Sequence, residues 1–344
     1  MPTRCSTCSS PPSTSTTPRA TRDRRPSTSR SSSDRDARHR HRTTMSLRPP
    51  PDDRSPAELL AFGVVNLDKP PGPSSHQVSA WIRDAVDDAL ESADRAPIER
   101  AAHAGTLDPK VTGCLPLMLG DATRLAQVFL EGAKEYVAVL ECHAPVPTDV
   151  ESVAAEFEGP IYQKPPRKSA VSRRLRIREI HDLDVLEVED RRALLRIRCE
   201  SGTYVRKLCH DLGLAMGTGA HMGHLRRTAT DPFDDRDLVT AHDLVDALAF
   251  WLEDGDPEPL CELVDPAERI LEGIPSVTIA ETAAREVAEG APVYAPGVIE
   301  APDVDPDALV ACFTPDGSAV CLGRLVGESD AESGTVVELE RVLV

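Results

Sequence analysis

Eleven consecutive residues, His103-Ala104-Gly105-Thr106-Leu107-Asp108-Pro109-Lys110-Val111-Thr112-Gly113, constrain this chain more than any other stretch. They set one carboxylate between a small-residue turn and a proline, then run into an apolar segment, Cys114 to Leu119, that reads as buried. Pro109 fixes its own φ and drives Asp108 out of the helical region. Gly105 and Gly113 permit close backbone approach or unusual dihedrals on either side. Two readings fit these residues by themselves: an Asx-turn that opens a loop, or a carboxylate held rigidly enough to serve as a nucleophile or electrostatic stabiliser.

The surrounding chain supplies ordered elements on both sides. Phe62 to Leu67 reads as a short strand ended by a rigid turn, Asp68-Lys69-Pro70-Pro71-Gly72-Pro73, in which Lys69 is a turn lysine. Ser74 or Ser75 then caps a helix whose apolar positions Val78, Ile82, Val86 and Leu90 recur every fourth residue. Asp121 to Glu131 is predicted as one helix, with Leu125, Val128 and Phe129 inward, stopped at Gly132. Lys134 to Cys142 is predicted as a strand on which Tyr136 is either a half-buried packing residue or a site residue. Ala193 to Cys199 alternates as a strand and leads through Ser201-Gly202-Thr203-Tyr204-Val205-Arg206 into a helix, leaving Arg206 near the junction. From Ile274 onward a short helix over 282–289 and strands over 292–298, 309–314 and 319–326 suggest a small β-barrel-like unit.

At 344 residues the chain is long enough for two domains. The first 44 belong to neither: Ser, Thr, Pro and ten Arg against three Asp, with almost nothing to bury, make a disordered basic tail. Met45 opens more ordinary sequence, so the tail is either a misassigned start or a real basic arm. It has no secretory h-region, and Cys5-x-x-Cys8 lacks a second ligand pair at zinc spacing. The remaining residues carry 29 basic and 54 acidic side chains, a net of −25, with only six Lys among them. Such acidity argues against nucleic acid as a partner unless cations are concentrated locally. They are: from Gln163 to Arg178 stand Lys164, Arg167, Lys168, Arg173, Arg174, Arg176 and Arg178, with no acidic residue. Lys164-Pro165-Pro166-Arg167 cannot be helical, so this strip is expected as an extended loop, either RNA-facing or merely solvated. The seven cysteines beyond the tail are scattered and read as small buried hydrophobes in a reducing cytoplasm. No apolar run is long enough to span a membrane.

Four stretches resemble motifs of the TruB/Cbf5 (dyskerin) family of RNA pseudouridine synthases: the Asp108 run, Val-Asn-Leu-Asp-Lys-Pro-x-Gly-x-Ser-Ser, the Gly-Ala-Lys-Glu-Tyr-Val run, and Ser-Gly-Thr-Tyr-Val-Arg. The Asp-Pro-Lys-Val-Thr-Gly form is closer to the archaeal and eukaryotic Cbf5 branch, and the acidic, Lys-poor surface resembles proteins of salt-loving archaea. The C-terminal unit, through Gly290-Ala-x-Val-x-x-Pro-Gly297, resembles a PUA domain. The resemblance implies an α+β fold: a catalytic domain over 45–273 with a mixed, mainly antiparallel sheet, then a small β-barrel-like PUA domain over 274–344. Removal of that second domain is expected to leave the first folded. It implies a catalytic Asp108, a Tyr136 that stacks on the target base beside the ribose, and an Arg206 that pairs with Asp108. His103 would fill the space the base leaves, with core packing as the competing reading. Lys164, Arg167, Lys168, Arg173 and Arg174 are the expected RNA-side residues, and Lys69 is either a structural or an RNA-side residue near the site.

The implied reaction converts uridine to pseudouridine within RNA and needs no cofactor or metal. The expected partners are an H/ACA guide RNA, substrate rRNA and tRNA, and the proteins Nop10, Gar1 and L7Ae, with no membrane. A stand-alone enzyme for pseudouridine in the tRNA T-loop and a non-catalytic RNA scaffold are the alternatives.

Overall fold

Period-two alternation builds the centre of the molecule, and a computed structural model describes it over residues 47–165, 172–328 and 331–344. The tail, Met45, Arg167 and Lys168 lie outside the described residues. In chain order the strands are β1 (Gly63–Lys69), β2 (Ala101–His103), β3 (Thr112–Leu119), β4 (Lys134–Cys142), β5 (Gly159–Gln163), β6 (Arg176–Glu189), β7 (Arg192–Cys199), β8 (Ala220–Thr230), β9 (Phe233–Asp234) and β10 (Asp265–Pro266). They form one sheet in the order β10-β1-β3-β8-β4-β7-β6-β5, with β2 on β3 and β9 on β8. All pairings are antiparallel except β3 with β8, which meet in parallel at Thr112↔Arg226 and Gly113↔Arg227. That short parallel contact lies at the Asp108 loop.

The helix Ser75–Ser92 starts where the sequence says it should. Ser74 and Gln77 exchange a capping box, and Val78, Ile82, Val86 and Leu90 are buried against Val65, Leu67, Leu117 and Leu119. On the other side of the molecule, Ala138, Leu140, Leu195, Ile197 and Cys199 pack with Val205, Leu208 and Leu212 of the helix Val205–Ala215.

Two expectations need correction here. The first strand does not end at Leu67 but continues through Asp68 and Lys69, because both residues stay in register with Cys114 and Gly113 of β3. The helix expected over 121–131 is two pieces, a 3-10 segment Gly120–Leu125 and a single turn Val128–Glu131. Thr123 donates its hydroxyl to the Gly120 carbonyl at 2.7 Å, a local bond that suits the tighter segment, while Leu125, Val128 and Phe129 are buried as expected.

The C-terminal unit contains β11 (Ser276–Ile279), β12 (Val293–Tyr294), β13 (Val298–Glu300), β14 (Leu309–Phe313), β15 (Ala319–Leu325) and β16 (Thr335–Val342), in the order β12-β16-β15-β14-β11-β13. This barrel-like sheet closes on Val277, Ile279, Val287, Val310, Val320 and Val337. The stretch read as one strand over 292–298 is broken by the 3-10 segment Ala295–Gly297. Pro296 cannot donate to a ladder, and a Cβ on Gly297 would come within 2.5 Å of the Ala283 Cβ.

The unit is not separable from the body in the way its sequence suggests. Ala311, Ala319, Leu322 and Leu343 share one buried cluster with Phe62, Met118, Leu125, Phe129, Phe233 and Ile270. Polar ties run across the same junction: Arg48 donates to the Leu343 carbonyl at 3.0 Å and to Asp121 at 2.7 Å, and Glu268 holds both Arg54 (2.7 Å) and the Ala319 N–H (3.1 Å). Among the described residues no helix is long and apolar enough to cross a membrane. Of the seven cysteines in this part of the chain, all free, only Cys261 is exposed.

A chain ending at Gly273 would open that shared core, so its remainder should melt at a lower temperature than the full chain and bind a hydrophobic dye. Leu322→Ala alone should cost ~2–5 kcal/mol in denaturant unfolding at matched salt. An unshifted melting curve for both would show two independent cores.

Candidate active site

The connection between β2 and β3 carries Asp108, and side chains hold most of its backbone in place. Asp108 opens a turn in which its carbonyl accepts the Val111 N–H at 2.9 Å, with Pro109 at the second position. Beneath it, the Lys69 ammonium donates to the carbonyls of Pro70 (2.8 Å), Pro109 (3.1 Å) and Val111 (2.9 Å). The Gly72 N–H gives Pro109 a further donor at 2.8 Å. Ser75, the first residue of its helix, donates its hydroxyl to the Leu107 carbonyl at 3.1 Å and accepts the Leu107 N–H at 2.9 Å.

Lys69 itself is 0% exposed, which overturns its place among the RNA contacts. Its three carbonyl partners satisfy the ammonium inside the protein, so its role is to brace the loop. Burial lowers its pKa, and the Asp108 carboxylate nearby opposes that shift.

Arg227 on β8 completes the floor. Its Nε donates to the Cys114 carbonyl at 2.7 Å and Nη2 to the Gly105 carbonyl at 3.3 Å, so one guanidinium joins the two ends of the loop. Glycine is required at both ends. Gly113 has φ 97° and a Cβ there would lie 2.2 Å from the Arg227 carbonyl oxygen; Gly105 has φ 98° and faces the same guanidinium.

Asp108 is left reaching outward, with its side chain 50% exposed, and Arg206 meets it: Nη2 and Oδ2 are 2.6 Å apart, with Arg206 42% exposed. Arg206 arrives there on the first turn of the helix Val205–Ala215, after the Gly202 bend with φ 81°. Tyr136 sits on β4 beside Arg227 of β8 in register and packs against Leu107, Val111 and Leu115 under the loop. Burial pushes its hydroxyl pKa up, and the Arg227 charge opposes this. His103, at the end of β2, meets His76 edge-on with centroids 4.9 Å apart, and its Nδ1 is buried without a partner. Burial first, then His76 and Arg227, lower its pKa to about 4.

Next to Arg206 a cleft of about 550 Å³ is lined by Lys164, Pro165, Arg173, Arg206, Lys207, His210, His221 and Met222. Among the described residues no carboxylate lines it; Asp211 and Glu141 contact Lys207 and His221 from outside the lining. Lys164 and Arg173 thus join the site. Arg174 is exposed but does not line the cleft. At the described ends of the strip Gln163 pairs with Arg176, so its last two cations, Arg176 and Arg178, belong to a strand. Arg178 also has its own carboxylate, Glu200, at 3.0 Å, so the run is not wholly uncompensated.

The residues missed by sequence reasoning are Arg227, Ser75 in its loop-holding role, and the cleft residues Lys207, His210 and His221. Arg227 had a legible signal. Leu225 and Arg227 share one face of β8, opposite Ala138 and Tyr136 of β4, and an arginine in such a row needs an internal partner.

Comparison with known proteins adds four family matches: a DKCLD domain over residues 32–79, the N-terminal domain of TruB family pseudouridylate synthases over 94–149 and 141–205, the tRNA pseudouridylate synthase B C-terminal domain over 206–272, and a PUA domain over 275–343. A probable tRNA pseudouridine synthase B of Halobacterium salinarum is 63% identical, covering 87% of this chain and all of its own length. The protein of that name from Haloarcula marismortui is 63% identical over 89% of this chain and 98% of its own. Among solved structures, a Cbf5–Nop10–Gar1 complex matches with TM-score 0.79 and 43% identity, covering 87% of this chain and 90% of that one. An H/ACA ribonucleoprotein bound to a substrate RNA containing 2′-deoxyuridine matches at TM-score 0.77 and 41% identity, covering 87% and 90%.

The exposure of the Asp108–Arg206 pair sets its worth. Arg206→Ala should lower stability by less than ~1 kcal/mol, as for other water-accessible pairs, checked by denaturant unfolding. For His103, whose pKa falls from 6.5 unfolded to about 4 folded, the unfolded chain binds the extra proton between those values. The folded state therefore loses stability as pH drops through that window and is unaffected above it. His103→Gln should be less pH-sensitive than wild type between pH 7 and pH 4, and parallel stability curves would refute the buried neutral imidazole.

Proposed function

This chain belongs to the TruB/Cbf5 family of pseudouridine synthases, and we propose that it is the catalytic subunit of an H/ACA guide ribonucleoprotein that isomerises uridine in rRNA and tRNA. The observation that carries the reading is a braced, outward-facing carboxylate, Asp108, ion-paired to Arg206 at the edge of a cleft lined by cations and no carboxylates. On a chain of net charge −18 that cleft is a suitable path for a phosphate backbone.

The target uridine is flipped out of its stack to reach Asp108, at a cost of a few kcal/mol. Tyr136 receives the base by stacking beside the ribose, and His103 occupies the space the base leaves. Asp108 then acts at C6 of the base or C1′ of the sugar, the N1–C1′ bond breaks and a C5–C1′ bond forms. Arg206 holds the carboxylate in place while charge moves. Lys164 and Arg173 meet the RNA backbone, and Arg167, Lys168 and Arg174 extend that basic path.

In this reading the guide RNA selects the uridine, the PUA domain over 274–344 grips the guide, the catalytic domain spans 45–273, and Nop10, Gar1 and L7Ae complete a cytoplasmic particle. The likeness to Cbf5 complexes supports it. The name carried by the halophilic relatives favours a second reading, a stand-alone tRNA enzyme.

Labelled rRNA fragment with guide and partner proteins, against bare tRNA, separates the two; modification of tRNA alone, with none of the guided substrate, would favour the second. Asp108→Asn should abolish pseudouridine formation on either RNA while leaving RNA affinity within about threefold, since it keeps the shape and removes the charge. Turnover within tenfold of wild type, on the order of 1.4 kcal/mol, would remove Asp108 from its role.

A further inference from the structure

Beyond Arg206 the cleft is lined by two histidines, and one of them has its edge tied down. His221 of β8 is 59% exposed in its side chain, yet both of its ring nitrogens are turned to the protein. Nε2 lies 3.2 Å from the Glu141 carboxylate, and Nδ1 lies 3.3 Å from Nε2 of His143. Glu141 is the register partner of His221 on β4, and His143 stands just past the end of that strand, so the sheet itself fixes the ring. The two imidazoles meet edge to edge, with centroids 5.5 Å apart and planes inclined by 36°. What His221 has left to offer the cleft is the face of its ring. A phosphate would need the nitrogens as donors. A flat base needs only the face, and histidine is among the side chains on which unstacked RNA bases rest.

We propose that His221 is a stacking platform for a base that neighbours the target uridine in the RNA strand, while Lys164 and Arg173 meet the phosphates beside that base. The proposal rests on the pseudouridine synthase reading of the site. The stacked base is not the uridine itself. His221 stands six residues along β8 from Arg227, the register partner of Tyr136, and six residues of strand cover ~20 Å, far beyond the reach of one base. The helix Val205–Ala215 leads the same way: Arg206 meets Asp108, and His210, one turn later, lines the cleft with His221 and Met222. The half-buried Met222 adds a soft, polarisable surface beside the ring. Arg173 is anchored through Nε to the Pro165 carbonyl at 3.0 Å, and among the described residues no carboxylate pairs with it or with Lys164. A volume of about 550 Å³ lies within the range of sites that hold small organic ligands, so a nucleotide fits.

The test uses the full chain and a single-stranded RNA carrying the target uridine, with the fluorescent base 2-aminopurine placed in turn at each flanking position. Stacking darkens this base, so wild type should quench it at one position. His221→Ala should abolish that quench and weaken RNA binding by about fivefold or more at matched salt. His221→Phe, which keeps a ring face and has no nitrogens, should retain the quench and bind within about threefold of wild type. Arg173→Gln should weaken binding wherever the probe sits and leave the quench in place. No quench at any position in wild type, a quench that persists in His221→Ala, or one that His221→Phe loses, overturns the proposal. Should His221→Ala not fold, His221→Leu, which fills the space without a π face, takes its place. The fluorescence needs no turnover. A quench that depends on His221, on RNA that is never converted, would reject the reaction and keep the subsite; conversion with no such quench would reject the subsite alone.

Discussion

The site depends on a buried ammonium that has backbone oxygens for partners. Lys69 spends its three donors on the carbonyl of Pro70, next to it in sequence, and on those of Pro109 and Val111, in the turn that carries Asp108. Loop backbone is normally solvated and mobile. Here the polar groups that would otherwise face water are bonded inward, to Lys69, Ser75, Gly72 and Arg227. Each such bond is worth only ~1 kcal/mol net, but leaving a buried partner unpaired costs more. The turn is therefore held by the penalty for any alternative arrangement. The carboxylate remains half-exposed while the backbone beneath it is fixed, and that combination suits a group that must meet a large substrate with little reorganisation.

Charge is distributed to the same end. Away from the site most arginines have carboxylate partners: Arg48 with Asp121, Arg54 with Glu268, Arg226 with Asp68, and Arg269 with Asp237 and Asp265. Apart from the buried Arg54–Glu268 pair, these pairs are water-accessible and add little stability, but they remove positive charge from the general surface. Of the cations that line the cleft beside Arg206, Arg206 and Lys207 pair with Asp108 and Asp211, while Lys164 and Arg173 have no carboxylate partner among the described residues. A polyanion would thus meet attraction in one place and repulsion over much of the rest. In concentrated salt, where the Debye length shrinks to ~3 Å at 1 M, only that close-range contact retains force.

Much of this was legible in the residues. The Ser74–Gln77 cap, the four-residue spacing from Val78 to Leu90 and the alternation of β4 and β7 are local rules, and the structure follows them. The meeting of Asp108 with Arg206 was expected from motif resemblance, since spacing alone could not have joined residues so far apart. Other features were hidden because they are non-local. Lys69 looks like a surface turn lysine until β3 covers it, and nothing beside Lys69 in sequence shows that β1 will run on to reach Gly113. The core shared by Phe62 and Leu322 has no local signature either, so the domain boundary looked cleaner in sequence than it is in packing.

The bond from Arg227 to the Cys114 carbonyl spans 113 residues, and this bears on the order in which the molecule can come into being. Contacts of such separation form late, after loop-closure entropy has been met by other structure. A chain still emerging from the ribosome could build the helix Ser75–Ser92 and the first strands, with Ser75 and Lys69 in reach of the turn, yet lack the guanidinium that closes its floor. The carboxylate would be displayed before its setting existed. The floor beneath Asp108 is therefore completed only once β8 has been made.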